Sequence, residues 1–243
     1  MRGRGVLVLA GTAEARAVLA RARGLAVLAS LAGRTAAPVD LGVPTRTGGF
    51  GGEAGFRAAL AEATAVLDAT HPFAARMTER AVRICGNLGV PYLRLTRPGW
   101  GALGQRYADE RACARALPAG ATVFLTTGPG SLPAFEGRGL RLLCRRVDPA
   151  PARAGVTWIV GMPPFALAQE METLRTHGVT DLVTKDSGGA RAKLDAAATL
   201  GVAVHVIDRP ASPGGEETHD IERAVAFLRR YGTPGANAPN PRP

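Results

Sequence analysis

Lysine is nearly absent from this 243-residue chain. Only Lys185 and Lys193 occur, so 28 of the 30 basic residues are arginine, and with 20 acidic residues the formal net charge is +10. Aromatic residues are also scarce, at 5%. The arginines are dispersed, without a run of five and without interleaved rings, which argues against a nucleic-acid surface. A basic chain of this kind instead favours smaller anions, such as a phosphorylated cofactor or a polycarboxylate. Cysteine is limited to Cys85, Cys113 and Cys144, an odd number spaced 28 and 31 residues apart. That spacing fits neither a zinc knuckle nor a disulfide framework, so a reduced, cytoplasmic protein without a metal site is expected. No apolar run approaches the ~18 residues that span a bilayer. The five-residue run Val6–Ala10 behind Arg2 and Arg4 reads as a buried first strand rather than an export signal.

What is present is globular. Hydrophobic residues make up 46% and charged residues 21%, and a chain this long buries roughly 70–75% of its unfolded surface without covalent staples. Apolar runs predict strands at Gly5–Ala10, Leu25–Ser30, Ala65–Thr70 and Pro91–Leu95, alternating with helices at Glu14–Arg23, Gly52–Ala63 and Ala74–Leu88. A second series predicts strands at Thr122–Thr127, Arg141–Val147, Trp158–Gly161, Leu182–Lys185 and Val202–Ile207. Its helices fall at Glu110–Leu117, Pro164–His177, Ala190–Leu200 and Glu217–Arg230. Uninterrupted apolar strands separated by helices mean α/β architecture with parallel sheets covered on both faces. The pattern breaks at Arg97-Pro98-Gly99-Trp100-Gly101. Two Rossmann-like domains are therefore expected, at 1–99 and 100–231, followed by a proline-rich, solvated tail at 232–243.

Ligands of open α/β sheets lie beyond the carboxyl ends of the strands, which selects the loops to read. Gly11-Thr12-Ala13-Glu14 opens a helix after the first strand; Thr12 there is either an anion ligand or a plain N-cap. After the second strand, Ser30 and Arg34 stand where NAD enzymes carry an acid for the ribose 2′-hydroxyl. A hydroxyl and a guanidinium suit a 2′-phosphate, so NADPH is favoured over NADH, although a solvated Arg34 is the bland alternative. His71 follows a strand end, the loop 48–52 holds four glycines in five residues, and Lys185 keeps an ammonium in a chain that otherwise avoids lysine. Asp186 and Ser187 suit an ordinary helix cap. No tyrosine has a lysine four residues on, which removes the usual Tyr-x-x-x-Lys carbonyl reductases. A nucleotide-binding protein with two Rossmann-like halves and no chemistry is the alternative from another class.

Gly11-Thr-x-Glu-x-Arg16, Ser30-x-Ala-Gly-Arg34, Gly48-Gly-Phe-Gly-Gly52, Asp68-Ala-Thr-His-Pro-Phe-Ala74, Arg97-Pro-x-Trp100, Thr127-Gly128, Gly161-x-Pro-Pro-Phe165, Lys185-Asp-Ser-Gly-Gly189 and Arg209-Pro210 occur in that order. In this the chain resembles the precorrin-6A and cobalt-precorrin-6A reductases of cobalamin biosynthesis, from about Val6 to Pro210. The resemblance implies NADPH and a tetrapyrrole polycarboxylate in an interdomain cleft, and reduction of one carbon–carbon double bond of precorrin-6A to give precorrin-6B. The residues then expected to hold the cofactor are Gly11, Thr12, Glu14, Ser30, Gly33, Arg34, Gly49, Thr70, Thr127, Gly128 and Ser187. Arg94, Arg97, Trp100, Asp186, Gly188 and Arg209 are the substrate candidates. His71 and Lys185 are the catalytic candidates for donating the proton, with solvent as a third source.

Overall fold

The computed structural model describes residues 5–33 and 40–232. Two compact units emerge, one made of residues 1–98 and 210–243 and the other of residues 99–209. The first boundary falls at the Pro98-Gly99 bend read from the sequence. The second differs from the expected domain limits, because the chain after Arg209 returns to the first unit.

In the first unit, β1 (Gly5–Leu9), α1 (Ala13–Leu19), β2 (Val27–Leu31), β3 (Thr45–Thr47), α2 (Glu53–Ala61), β4 (Ala63–Asp68), α3 (Ala75–Leu88) and β5 (Tyr92–Leu95) follow one another. The second unit holds β6 (Gln105–Tyr107), α4 (Glu110–Ala116), β7 (Thr122–Leu125), a 3₁₀ turn at Pro129–Ala134, β8 (Arg141–Arg146) and β9 (Val156–Val160). It continues with α5 (Leu167–Thr176), β10 (Asp181–Lys185), α6 (Ala192–Leu200) and β11 (Ala203–Ile207). Then β12 (Glu217–Thr218) and α7 (Ile221–Tyr231) close the first unit. The sheet orders are β12-β5-β4-β1-β2-β3 and β6-β11-β10-β7-β8-β9, with every pairing between named strands parallel.

Each order runs outward in both directions from a central first strand, β1 or β7. The two connections that leave that centre diverge, and the divergence is the switch point where such sheets bind ligands. In each sheet the sixth position is taken by a short strand from outside the five-strand series, β12 in one and β6 in the other. The helix expected to begin at Glu217 instead begins at Ile221, with Asp220 capping it through Glu222 N–H (2.8 Å).

The cores explain the runs. Val6, Val8, Ala29, Leu67, Leu93 and Leu228 bury one face of the first sheet against α1 and α7, and Leu7, Leu9, Val66, Phe56 and Ile84 bury the other against α2 and α3. Helix α7 therefore belongs to the first unit because Ala224, Val225 and Leu228 are the cover for β1 and β4. In the second unit Phe124, Leu143, Leu182, Leu194 and Ala197 form the corresponding layer. Among the described residues, no helix is long and apolar enough to cross a membrane and no cluster of potential metal ligands occurs.

Candidate active site

At the switch point of the first unit the loops after β1 and β4 are tied to each other. The Thr12 hydroxyl donates to the carbonyl of Ala69 (3.0 Å) and accepts the amide of Ala15 (3.1 Å). Thr12 thus caps α1 and braces the two loops, with one lone pair of its oxygen left over. Asp68, fully buried at the end of β4, accepts Thr70 N–H on Oδ1 (3.0 Å) and the Tyr92 hydroxyl on Oδ2 (3.0 Å). Burial and the Asp68 charge push the Tyr92 phenol far above its ordinary value, so it stays a proton-bearing donor. This network sets the path of the chain into His71. There Phe73 N–H donates to Nδ1 of the ring (3.2 Å), which leaves the neutral imidazole's proton on Nε2. The Thr70 and Thr78 hydroxyls face each other at 3.4 Å.

Glu14, in the first turn of α1, meets Arg97, whose Nη1 donates to both carboxylate oxygens at 3.0 and 2.7 Å. Burial works to raise the Glu14 pKa, but the hydrogen bonds and charge of Arg97 outweigh it and hold the carboxyl below its ordinary value. A lone acid here would repel an anion; paired, it no longer does. Arg94 is 8% exposed and donates to Glu217 (2.9 Å), joining β5 to β12. The pair makes Arg94, a substrate candidate, part of the frame of the sheet.

Ser30 at the end of β2 lies directly opposite Arg46 of β3. Arg46 Nη1 donates to the Ser30 hydroxyl (2.8 Å) and to Gly48 O (3.1 Å), Nη2 donates to Gly49 O (2.9 Å), and the guanidinium stacks 4.1 Å above the Phe50 ring. Phe50 itself is fixed by an edge contact with Phe56 and by Gly55, where a Cβ would come within 1.7 Å of the Phe50 carbonyl oxygen. Sequence reasoning missed Arg46, because the polar three-residue strand that carries it has no apolar signature. Gly33 and the exposed Gly49 flank this corner, whereas Arg34 lies outside the described residues.

In the second unit the loop after β10 is organised around Asp186, which is 4% exposed. Its Oδ1 accepts Trp100 N–H (2.9 Å), its Oδ2 accepts Arg106 (2.8 Å), and its carbonyl accepts Arg209 Nε (2.7 Å). Desolvation raises its pKa, but Arg106, the Trp100 amide and the Arg209 charge together bring it below the ordinary value. A Cβ at Gly99 would stand 2.7 Å from Asp186 Oδ2, so only glycine lets the Arg97–Trp100 bend approach this carboxylate. The Trp100 indole donates to Gly189 O (3.0 Å), with the Lys193 ammonium 4.8 Å above the ring. The Lys-Asp-Ser-Gly-Gly and Arg-Pro-x-Trp motifs thus read as two halves of one clamp. Asp186 and Trp100, both substrate candidates, are the residues that hold this clamp together. Gly99, Arg106, Asp186, Asp208 and Arg209 line an open cavity of about 710 Å³ on this unit.

Lys185 forms an ion pair with Glu110 of α4 (3.1 Å). Thr127 meets Ser131, whose hydroxyl donates to Gly128 O (2.7 Å) and shapes the loop after β7. Ser187 and Gly188 remain half-buried on the loop after β10. Each sheet therefore presents its polar loops at the carboxyl ends of its central strands, where open α/β sheets bind ligands.

Comparison with known proteins agrees with this geometry. The chain is 40% identical over 236 residues to the precorrin-6A reductase of Mycobacterium tuberculosis (strain CDC 1551 / Oshkosh), covering 92% of this chain and 96% of the relative. It is 39% identical over 246 residues to the precorrin-6A reductase of Rhodobacter capsulatus, covering 93% and 96%. A solved structure titled CobK precorrin-6A reductase superposes with a TM-score of 0.88 at 37% identity, covering 96% of this chain and 99% of that one. The model of the precorrin-6x reductase CbiJ/CobK family matches residues 5–229, so the chain is an oxidoreductase that belongs to this family.

Proposed function

We propose that this protein reduces one carbon–carbon double bond of the precorrin-6A macrocycle in cobalamin biosynthesis, with NADPH as hydride donor, giving precorrin-6B. The observation that carries the proposal is full-length similarity. Relatives at 39–40% identity named precorrin-6A reductase are matched over more than nine-tenths of their length. The choice of NADPH is supported by Arg46 beside Ser30, a guanidinium held at the strand ends where a dinucleotide's adenosine ribose is read. Three free, buried cysteines fit a cytoplasmic setting.

When bound, the nicotinamide supplies the hydride, and that chemistry is the cofactor's own. The protein's part is to bind and orient. Gly11, Gly33, Gly49, Thr70, Thr127, Gly128 and Ser187 are the loop residues proposed to approach the cofactor, with Glu14 kept innocuous by Arg97. Arg209 and Gly188 border the proposed site for the carboxylate-bearing substrate. We further propose that water, not a side chain, completes the reduction with a proton. The His71 ring accepts the Phe73 amide on Nδ1, a bond that ties it to the loop after β4. Lys185 giving up its proton would leave Glu110 without its counter-charge. The experiment is anaerobic incubation with NADPH and precorrin-6A, following nicotinamide absorbance and the macrocycle spectrum together. Coupled loss of both supports the proposal. Nicotinamide bound but not oxidised would refute it in favour of a non-catalytic nucleotide binder.

A further inference from the structure

Resting on the NADPH reading above and deepening it, we infer that Arg46, braced by Ser30, is the residue that grips the 2′-phosphate and so sets cofactor choice. Four observations converge on this residue. Its position is the first: Ser30 and Arg46 are register partners at the carboxyl ends of β2 and β3, on the side of the switch point where the adenosine half of a dinucleotide lies.

The second is rigidity. A free arginine loses rotamer entropy when it closes on a ligand, but Arg46 is already pinned by the Ser30 hydroxyl, the Gly48 and Gly49 carbonyls and the Phe50 ring. The third is charge. Arg94, Arg97, Arg106 and Arg145 each face a carboxylate within 2.9 Å, whereas among the described residues Arg46 is matched only to a hydroxyl, carbonyls and a ring. Dipoles orient a guanidinium but leave its full charge for a ligand.

The fourth is donor arithmetic. A guanidinium has five N–H groups in a planar fork. The two on Nη1 go to Ser30 and Gly48, and one on Nη2 goes to Gly49. Among the described residues Nε–H and one Nη2–H take no protein acceptor, and two guanidinium donors match two phosphate oxygens. The hydroxyl at Ser30 then acts through Arg46 as a positioning residue.

The test is calorimetric binding of 2′,5′-ADP and 5′-AMP, probes that differ only by the 2′-phosphate, to the full-length chain. Wild type, Arg46→Met, Arg46→Lys and Arg34→Met are compared. Methionine keeps an apolar stem over Phe50 and removes the charge. The expected result is that Arg46→Met weakens 2′,5′-ADP about ten- to a hundredfold, the range for a charged hydrogen bond, while 5′-AMP changes less than about threefold. Arg46→Lys should recover only part of the loss, because a point charge lacks the fork. Retained discrimination in Arg46→Met, with its loss in Arg34→Met, overturns the assignment. Equal weakening of both probes in both Arg46 variants also overturns it, since that is the signature of a structural residue. A wild type that binds the two probes equally fails earlier, at the NADPH reading itself.

Discussion

Replacing Asp186 with asparagine tests whether the Lys185–Gly189 loop is a structural clamp or a substrate ligand. The substitution conserves shape, and the amide oxygen can still accept Trp100 N–H. The new NH₂, however, would face the Arg106 guanidinium donor that Oδ2 now accepts at 2.8 Å, and Arg209 beside it would lose its counter-charge. Breaking a buried, hydrogen-bonded ion pair from one side costs about 3–5 kcal/mol. The surviving Trp100 bond and partial exposure of Arg106 bring the expectation to about 2–4 kcal/mol at pH 7. The sign with pH follows from the lowered carboxyl. Native Asp186 has a pKa below its unfolded value of roughly 3.9, so its contribution is complete above about pH 5 and is lost as pH falls through the folded pKa.

Urea unfolding of wild type and Asp186→Asn from pH 7 down to pH 3.5 should therefore show a gap that is flat above pH 5 and narrows below it. Asp208→Asn is the internal control. Asp208 shares Arg106 but is far more exposed, with 42% of its side chain accessible against 6% for Asp186, and a surface pair contributes about 0–1 kcal/mol. A gap under about 1 kcal/mol for Asp186→Asn, or equal losses in the two variants, would refute the clamp and return Asp186 to the substrate-facing set.

Three further outcomes are expected. His71→Asn should lower kcat less than about tenfold without removing a limb of the pH–rate profile; a loss of 10²–10⁴, the range of a general acid, would make the histidine the proton source. Arg94→Met should lower unfolding stability by about 1–3 kcal/mol while the KM for precorrin-6A stays within about twofold; a selective rise in KM would make Arg94 a substrate ligand after all. Burial pushes Cys85 and Cys113 up to about 12 and Cys144 up to about 11. At pH 8 thiolate is then roughly one part in a thousand or less, and Ellman's reagent should find three thiols only after denaturation, with fast native labelling as the contrary result.

Much of the fold was legible because its central strands are buried on both faces. β1 and β7 read as near-continuous apolar runs, and β4 and β10 carry apolar centres, Ala65–Leu67 and Leu182–Val183, as parallel pairing favours. The strands that escaped are the short outer ones. β3 is Thr-Arg-Thr, β6 is Gln-Arg-Tyr and β12 is Glu-Thr, too brief and too polar to show a period. Missing β12 also misplaced the start of the last helix and hid the return of the chain to the first unit. At the site, turn chemistry singled out the loops correctly, but spacing cannot distinguish a residue that touches a ligand from one that holds the loop. Thr12 and Asp186 have the residue types of ligands and the hydrogen bonds of braces.

The arginines carry the same lesson one step further. In a chain with 28 of them, the presence of a guanidinium says little, and only its counter-charge is informative. Arg94, Arg97, Arg106 and Arg145 lie at strand ends and were indistinguishable by sequence from Arg46. The four are neutralised by Glu217, Glu14, Asp186 and Glu170 respectively, so each is part of the fold's own electrostatics. Among the described residues Arg46 is oriented by a hydroxyl, two carbonyls and a ring, which fix direction without cancelling charge. A half-buried cation in that condition is stabilised by an arriving anion more than any paired arginine would be, because no existing bond must be given up. On the proposed reading, the basic balance of the composition becomes specific at this corner of the first sheet, where Arg46 meets Ser30.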